Sequence, residues 1–301
     1  MKILVTGAAG LVGSALCPAL EHDGHTVVST DAVAARPEIV PLDIADPTAP
    51  AALFERIRPD VVIHLAAETD VDRCEQEPAH AYRVNAAGTE HVARACRQAG
   101  ARLVYVSTAA VFDGEKPTAY LESDPPNPVN VYGRTKLAGE YAVRRLGGQH
   151  QIVRASWVVG GFERDKKFVG KMLRLLESQR ELSVVTDKIG SLTFTVDFVQ
   201  NLAALVRREG ETGVFHMANR GACSRHEVAC KIVEFLGRTD VTVRPVTSDA
   251  FPLPAPRGRS EAIRNLRLET LGLDRMPTWQ DALQAYVRAY LDLPKPCASS
   301  F

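Results

Sequence analysis

The sequence predicts an α/β fold, in which a Rossmann-type doubly wound parallel sheet is followed by a smaller mixed α/β lobe. Three observations predict it. The first apolar strand runs straight into a glycine-rich turn and a helix. Four further apolar runs, at 26–30, 39–42, 60–67 and 103–108, alternate with helical stretches. From about residue 160 helices alternate with shorter β-like pieces, so we divide the chain into a domain at 1–160 and a lobe at 161–301 with segments that return to the sheet.

Composition and charge exclude several classes of protein. The 301 residues are 46% hydrophobic, enough for one large α/β unit or two coupled domains. The formal net charge is zero and the pI is about 7.1, so neither a nucleic acid nor an anionic membrane is expected as a partner. Six scattered cysteines without a C-x-x-C pair favour a reduced cytoplasmic protein. No signal peptide and no run of 18 uncharged apolar residues is found, so no membrane span is expected.

The glycine-rich turn at residues 6–13 predicts a dinucleotide site. Gly7 permits a tight turn, Gly10 lets the backbone approach a pyrophosphate, and Gly13 lets the helix pack close to the strand. Free N–H groups at the start of the helix would then face the phosphates. The residues of this turn that we predict to bind the cofactor are Gly7, Ala9, Gly10, Leu11 and Val12. Residues 1–160 are therefore predicted to form a dinucleotide-binding domain.

The second strand ends at Asp31, 18 residues after Gly13. A carboxylate there can bind both ribose hydroxyls and would repel a 2′-phosphate, so NAD(H) is favoured, while nearby Arg36 leaves NADP(H) open. Asp43 and Ile44 follow the third apolar run and are positioned to meet the adenine. An equally good interpretation of Asp43 is a turn or helix-cap aspartate.

The strand at 60–67 ends in Leu65-Ala66-Ala67, where the alanines let the backbone lie flat against a cofactor. Thr69 lies in the acidic loop that follows, which is either solvated or forms the rim of a pocket. His64 is flanked by apolar strand residues and is interpreted as a core histidine. Asn85 lies inside a helix predicted from Tyr82 to Ala99, where an asparagine is unfavourable unless its side chain has a specific partner.

Residues 131–140 carry the predicted chemistry. Tyr132 and Lys136 lie one turn apart on one face of a helix. A tyrosine takes part in proton transfer near neutral pH only if its phenolate is stabilised by roughly three pKa units, about 4 kcal/mol, and a neighbouring ammonium supplies much of that. Thr108 ends the strand at 103–108, and the Pro- and Gly-containing loop after it is long enough to bring these three residues together.

These motifs resemble those of extended short-chain dehydrogenase/reductases, and most of all the dTDP-4-dehydrorhamnose reductase family. The resemblance rests on the glycine turn, Asn85-Ala86-Ala87-Gly88-Thr89, Ser107-Thr108 and the Tyr132-to-Lys136 spacing. It extends over nearly the whole chain, with further similarity at 111–114, 154–158, 182–193 and 213–216.

The resemblance implies an NAD(P)H-dependent reduction of a nucleotide-linked 4-keto sugar. Tyr132 would protonate the carbonyl oxygen, Lys136 would hold the nicotinamide ribose and lower the pKa of the tyrosine, and Thr108 would hydrogen-bond the same oxygen. Trp157 would lie against the sugar ring, unless it is simply a core aromatic. The cofactor contacts implied in addition are Leu65, Ala66, Ala67, Asn85, Ser107, Tyr132 and Lys136, and the substrate contacts are Thr69, Thr108, Trp157 and Arg257.

Three departures from the family pattern point to a changed substrate pocket. Ala109-Ala110 stands where these reductases usually carry Asp-Tyr, so two polar groups that face the substrate are missing. Ala15 replaces a glutamate that binds magnesium in some members, so we predict no metal. The Arg-Pro…Ser-x-Leu signature survives only partly, as residues 257–263.

The second half is predicted to be mainly a substrate-binding lobe, and Arg257 and Arg259 are the best candidates to hold a substrate phosphate. Basic residues along the helix predicted from Phe168 to Leu176 are either a solvated face or a further diphosphate contact. Two alternative functions stay open: a sugar-nucleotide 4-epimerase, suggested by residues 107–111, and a regulatory subunit like the β subunit of methionine adenosyltransferase, which resembles the same family. A homodimer through exposed helices of the cofactor domain is expected from the family.

Overall fold

A computed structural model describes residues 1–33, 36–146 and 148–293. Fourteen strands are described in these ranges: β1 Lys2–Thr6, β2 Thr26–Asp31, β3 Val40–Pro41, β4 Val61–His64, β5 Arg102–Thr108, β6 His150–Ala155, β7 Val158–Val159, β8 Glu181–Val185, β9 Ile189–Gly190, β10 Thr193–Phe194, β11 Gly213–His216, β12 Cys223–Ser224, β13 Thr242–Val246 and β14 Ser260–Glu261. Seven of them form the main sheet, in the order β11-β6-β5-β4-β1-β2-β3.

The main sheet is parallel throughout and is covered by helices on both faces. The helices are α1 Gly13–His22, α2 Ala49–Ile57, α3 Val71–Gln76, α4 Pro78–Ala81, α5 Thr89–Ala99, α6 Val131–Leu146, α7 Phe168–Ser178, α8 Thr195–Val206, α9 Arg225–Phe235, α10 Leu266–Thr270 and α11 Trp279–Leu291. Helices α1 and α8 pack on one face, and α2, α5 and α6 pack on the other. The predicted doubly wound fold is confirmed. Within the described ranges, no helix is both long and apolar enough to cross a membrane.

The strand order reverses at β1, which lies between β2 and β4. The chain moves outward from β1 to β3 on one side, then returns to β4 and moves outward on the other. Loops that leave the carboxyl ends of β1 and β4 therefore diverge and open a crevice, the place where parallel α/β sheets bind ligands. All seven strands point their carboxyl ends to this edge.

The second half of the chain forms a smaller lobe with a core of its own. Its apolar core is formed by α7, α9 and α11 together with β8 and β10. Three strands of two residues each, in the order β12-β9-β14, form a small sheet within it. The chain also returns to the main sheet in this half, because β11 at Gly213–His216 pairs with β6 at the end of that sheet.

The helix predicted from Tyr82 to Ala99 consists of two parts. Residues Tyr82–Gly88 form a π-helix, and α5 begins at Thr89. The wider turn accompanies the placement of Asn85, whose fully buried side chain lies within hydrogen-bonding distance of the loop after β4 and of α6. π-Turns are rare and frequently occur at functional sites.

A buried ion pair joins α6 to the sheet. The Arg154 guanidinium of β6 donates two hydrogen bonds to Glu140 of α6, with Nε–Oε1 at 2.8 Å and Nη2–Oε2 at 2.7 Å. The Ser107 hydroxyl of β5 donates to the same carboxylate at 2.7 Å. The side chains of Glu140 and Arg154 are at most 1% exposed. Glu140 lies one turn after Lys136 and two turns after Tyr132, so this pair fixes the face of α6 that carries them.

We expect Arg154→Met to lower the free energy of unfolding by about 3–5 kcal/mol, because the buried Glu140 carboxylate loses both hydrogen bonds from its buried cation and keeps only the half-exposed Arg144 at 3.7 Å. Urea unfolding measures this change. The matched control is Arg244→Met, which removes a pair with Glu181 whose side chains are 60% and 57% exposed. It should cost less than about 1 kcal/mol. Equal losses in the two variants would contradict a structural role for the buried pair.

Candidate active site

The glycine turn after β1 is tightly packed against the end of β4. Gly7 has a φ of +71°, and a Cβ atom there would lie 2.7 Å from the backbone nitrogen of Ala66. A Cβ atom on Gly13 would lie 2.4 Å from the carbonyl oxygen of Gly7. Gly10 is exposed, so its backbone is open to an approaching group. This turn therefore fits a pyrophosphate at the crevice between β1 and β4.

Asp31 lies beside this turn. Its carboxylate accepts a hydrogen bond from the backbone N–H of Ala9 at 3.0 Å and another from that of Val33 at 3.2 Å. Both interactions hold the carboxylate at the carboxyl end of β2, where a ribose bound at the turn would lie. Arg36 is exposed and lies 3.7 Å from Glu38, so its guanidinium is not buried against Asp31.

Asp43 and Ile44 have different environments. Asp43 is exposed and accepts a hydrogen bond from the N–H of Ala45 at 2.9 Å, the geometry of a turn aspartate. Ile44 is buried, and a Cβ atom on Gly88 would lie 2.9 Å from its Cδ1 atom. The contact of these two residues with adenine stays a prediction.

Asn85 connects three elements next to the crevice. Its amide accepts from the N–H of Glu68 at 2.8 Å and donates to the carbonyl of Glu68 at 3.0 Å and to the Thr135 hydroxyl at 3.1 Å. These bonds hold the loop that begins at Leu65, Ala66 and Ala67 against α6. The specific partners expected for this asparagine are therefore present as protein groups, and its contact with a cofactor stays a prediction.

His64 lies in the core, as its apolar neighbours indicated. It is fully buried, with Nδ1 at 2.7 Å from the Thr6 hydroxyl and Nε2 at 3.1 Å from the Thr89 hydroxyl. Burial and, to a smaller extent, the Lys136 charge together lower the pKa of His64 to about 3. The ring is therefore neutral and connects the ends of β1 and β4 to the start of α5.

Thr108, Tyr132 and Lys136 converge at the carboxyl end of β5. The Thr108 Oγ atom accepts a hydrogen bond from the backbone N–H of Ala110 at 3.1 Å, and the Thr108 hydroxyl is close enough to the Tyr132 phenol to lower its pKa. Lys136 Nζ donates to the carbonyl of Val106 at 2.9 Å and lies 4.3 Å from the centroid of the Tyr105 ring. A strand end and one helix face thus bring a hydroxyl, a phenol and an amine together.

The electrostatics of this trio favour a protonated tyrosine. Burial raises the pKa of Tyr132 above its usual range, while the Thr108 hydroxyl lowers it. The charge of Glu261 raises it further. Burial lowers the pKa of Lys136 to about 7, opposed by the charge of Glu140. Without cofactor and substrate, the phenol therefore keeps its proton, which is the form that a proton donor needs.

Helix α6, which carries Tyr132 and Lys136, packs so closely at Gly133 that no larger residue fits there. A Cβ atom on Gly133 would lie 2.1 Å from the carbonyl oxygen of Ala110. Ala109 and Ala110 are both buried, so these residues present no polar group to a substrate. Ser107 also lies here, but its hydroxyl donates to Glu140, and its contact with a cofactor stays a prediction.

The predicted substrate residues lie around the same edge. Trp157 is half-buried, and a Cβ atom on Gly190 would lie 2.4 Å from its Cε2 atom. Arg257 donates to Asp72 at 3.0 Å and to the carbonyl of Ala255 at 2.8 Å. Thr69 is exposed on the loop between β4 and α3. These placements are compatible with substrate contacts, which stay predictions.

Two charged residues that the sequence did not single out lie beside Trp157. The guanidinium carbon of Arg225 is 3.6 Å from the centroid of the Trp157 ring and 4.8 Å from that of Phe168. Glu261, at the end of β14, accepts a hydrogen bond at its backbone carbonyl from the hydroxyl of Ser156 at 2.8 Å, and the neighbouring Trp157 indole lowers the pKa of its carboxyl group. The only sequence signal for Glu261 was its place in the altered segment at 257–263. Arg225 had no such signal. It is the first residue of α9 and follows the helix-capping Ser224, a position that any polar residue can occupy.

In the part of the chain that the structure describes, no group of three or more His, Cys, Asp or Glu side chains is placed to hold a metal ion. The prediction that no metal is used stays a prediction. The five described cysteines are free, and Cys297 lies outside the described residues.

Comparison with known proteins identifies the family. The model of the RmlD substrate binding domain matches residues 1–291. This chain belongs to that family. It is 38% identical over 300 residues to a dTDP-4-dehydrorhamnose reductase of Mycolicibacterium smegmatis, covering 98% of this chain and 89% of the relative.

Solved structures give the same result. A dTDP-4-dehydrorhamnose reductase from Clostridium acetobutylicum superposes with a TM-score of 0.90 and 36% identity, over 97% of this chain and 100% of that one. The enzyme of the same name from Bacillus anthracis, solved in complex with NADP, has a TM-score of 0.88 and 35% identity, over 96% and 99%. The family recognised from the sequence motifs is confirmed, and so is the fold class.

Proposed function

We propose that this protein reduces the 4-keto group of a dTDP-linked 6-deoxy sugar with NADPH or NADH, the reaction after which its relatives are named. The observation that carries the proposal is the convergence of Thr108, Tyr132 and Lys136 beside a dinucleotide-type glycine turn. Family membership over nearly the full chain supports it, and it favours a reductase over the epimerase and the regulatory subunit.

Different residues of the crevice would bind different parts of the cofactor. The backbone at Gly7, Gly10 and Val12 would hold the pyrophosphate, and Asp31 would hold the adenine ribose. Lys136 would hold the nicotinamide ribose. When bound, the dinucleotide supplies a hydride to the carbonyl carbon of the sugar.

Tyr132 then completes the reduction by donating its proton to the carbonyl oxygen, which becomes the alcohol. The phenolate left on Tyr132 is stabilised by the nearby Lys136 ammonium and by the Thr108 hydroxyl. The Thr108 hydroxyl is oriented for this stabilisation. Its Oγ atom accepts a hydrogen bond from the backbone N–H of Ala110, so its own proton can be donated to Tyr132 or to the substrate oxygen. Trp157, Arg225 and Arg257 would hold the sugar nucleotide, with the two arginines facing its diphosphate.

We expect Tyr132→Phe to lower kcat by at least about a hundredfold, because it removes the proton donor and little else. The measurement is oxidation of NADPH and of NADH with a panel of dTDP-linked 4-keto-6-deoxy sugars. The dissociation constant of the dinucleotide is titrated in parallel and should stay nearly unchanged. A fully active Tyr132→Phe variant would contradict the assigned role. Tightly bound NAD in the purified wild-type protein, with no turnover of added reductant, would favour the epimerase instead.

The pKa of Lys136 predicts a pH dependence. Its ammonium is mostly present below about pH 7 and falls tenfold per unit above it, whereas burial keeps Tyr132 protonated over the same range. We therefore expect kcat/KM for the dinucleotide, which reports the free enzyme, to fall as pH rises through about 7. Lys136→Arg retains its charge at all these pH values, so its activity, although lower, should not fall in this range. A flat wild-type profile from pH 6 to pH 9 would contradict this role.

The choice between NADH and NADPH depends on Asp31 in this proposal, and we favour NADH. Replacing the carboxylate by Asp31→Asn keeps an acceptor for the N–H of Ala9 but removes the charge that repels a 2′-phosphate. The ratio of kcat/KM for NADPH to that for NADH should rise about tenfold or more. Arg36→Gln is the companion variant. A loss of NADPH use in that variant, with Asp31→Asn unchanged, would assign selectivity to Arg36 instead.

A further inference from the structure

A carboxylate lies among cations where the lobe approaches the catalytic trio. Glu261 of β14 is in register with Gly190 of β9, which on its other side is in register with Cys223 of β12. Arg225 follows β12 and begins α9. Three strands of two residues each thus bring Arg225 and Glu261, which are far apart in sequence, to the same place beside Trp157.

Trp157 is fixed by close contacts on this small sheet. Its indole ring packs on Gly190, where a Cβ atom would lie 2.4 Å from Cε2, and the Arg225 guanidinium stacks at 3.6 Å from the ring centroid. The hydroxyl of Ser156, the residue before Trp157, donates a hydrogen bond to the backbone carbonyl of Glu261 at 2.8 Å, which holds Glu261 beside the indole. The aromatic face of Trp157, the cation of Arg225 and the acceptor groups of Glu261 therefore lie together, and a sugar-binding site needs groups of these kinds.

Charged groups from several elements act on the Glu261 carboxylate. Burial raises the pKa of Glu261, and the charges of Arg225 and Arg257, the neighbouring Trp157 indole and the charge of Lys167 lower it. The charge of Glu261 in turn acts on the Tyr132 hydroxyl. The carboxylate is thus within electrostatic reach both of the arginines that would hold a diphosphate and of the proton donor at the ketone, and a sugar ring must lie between those two ends of the substrate.

We propose that Glu261 is a specificity-determining residue, whose carboxylate accepts a hydrogen bond from the ring hydroxyl next to the ketone of the substrate. The proposal rests on the proposed function. An ionised carboxylate only accepts hydrogen bonds, so it selects a donor. In a 4-keto-6-deoxy sugar the C5 neighbour of the ketone carries a methyl group, and the C3 neighbour carries the hydroxyl. Since Ala109 and Ala110 are buried and apolar, Glu261 supplies an acceptor that they do not.

The test compares Glu261→Gln with wild type on two substrates, a dTDP-linked 4-keto-6-deoxy sugar and its 3-deoxy analogue. With the hydroxylated substrate, the variant should lose about 10- to 100-fold in kcat/KM, the range expected for a hydrogen bond to a charged group. With the 3-deoxy substrate, the change should be less than about threefold, because the hydroxyl is already absent. Glu55→Gln, at an exposed position of α2, is the matched control and should change neither value.

Each other outcome counts against the proposal. Equal losses on both substrates would assign Glu261 a structural or electrostatic role, and no loss on either would remove it from the site. If wild type binds NADPH in a direct titration but reduces neither substrate, the proposed function itself fails, and this inference fails with it. Thermal unfolding checks that Glu261→Gln is folded. If it is not, Glu261→Asp, which keeps the charge but shortens the reach, is measured on the same pair and should show the same selective loss.

Discussion

The buried interaction between Glu140, Arg154 and Ser107 is the constraint on which the catalytic geometry depends. It ties the middle of α6 to two adjacent strands of the main sheet. Because Tyr132, Lys136 and Glu140 recur at intervals of one helical turn, fixing one of them fixes the rotation of the helix about its axis. The carboxylate is fully buried, so any rotation that moved it away from Arg154 would leave two charges without partners in the core. The phenol and the amine therefore reach the end of β5 already oriented.

Close packing at glycines provides the second constraint. Gly133 brings α6 against the carbonyl of Ala110, and Gly139 brings it against the Tyr105 hydroxyl, where a Cβ atom would lie at 2.6 Å. Gly7 does the same for the turn after β1 and the end of β4. At these places backbone meets backbone or a buried ring, and neither can move aside cheaply. Electrostatics orients the helix, and steric packing sets its distance from the sheet.

Much of this could be predicted from the sequence because its signals are local. The glycine turn, Asp31 at a strand end and the Tyr132–Lys136 spacing each lie within one turn or one strand, where the chemistry requires fixed residue types. Asn85 was predicted to have a specific partner, but neither the π-helix around it nor the identity of its partners Glu68 and Thr135 was, because these partners lie 17 and 50 residues away in sequence. Arg225 and Glu261 could not be placed, since their meeting depends on pairings of two-residue strands that carry no periodic signal.

Glu261 interacts electrostatically both with the cations of the lobe and with Tyr132. The cations Arg225, Arg257 and Lys167 suit an anionic substrate, and the carboxylates of Asp72, Asp165 and Glu261 act on them. A phosphate alone would be bound best with no carboxylate present. Glu261 weakens that attraction and raises the pKa of Tyr132, which in the proposed mechanism would keep the proton on the phenol until reduction begins. A carboxylate in that position is costly for binding a diphosphate, and this cost is best explained if it recognises the sugar between the diphosphate and the ketone.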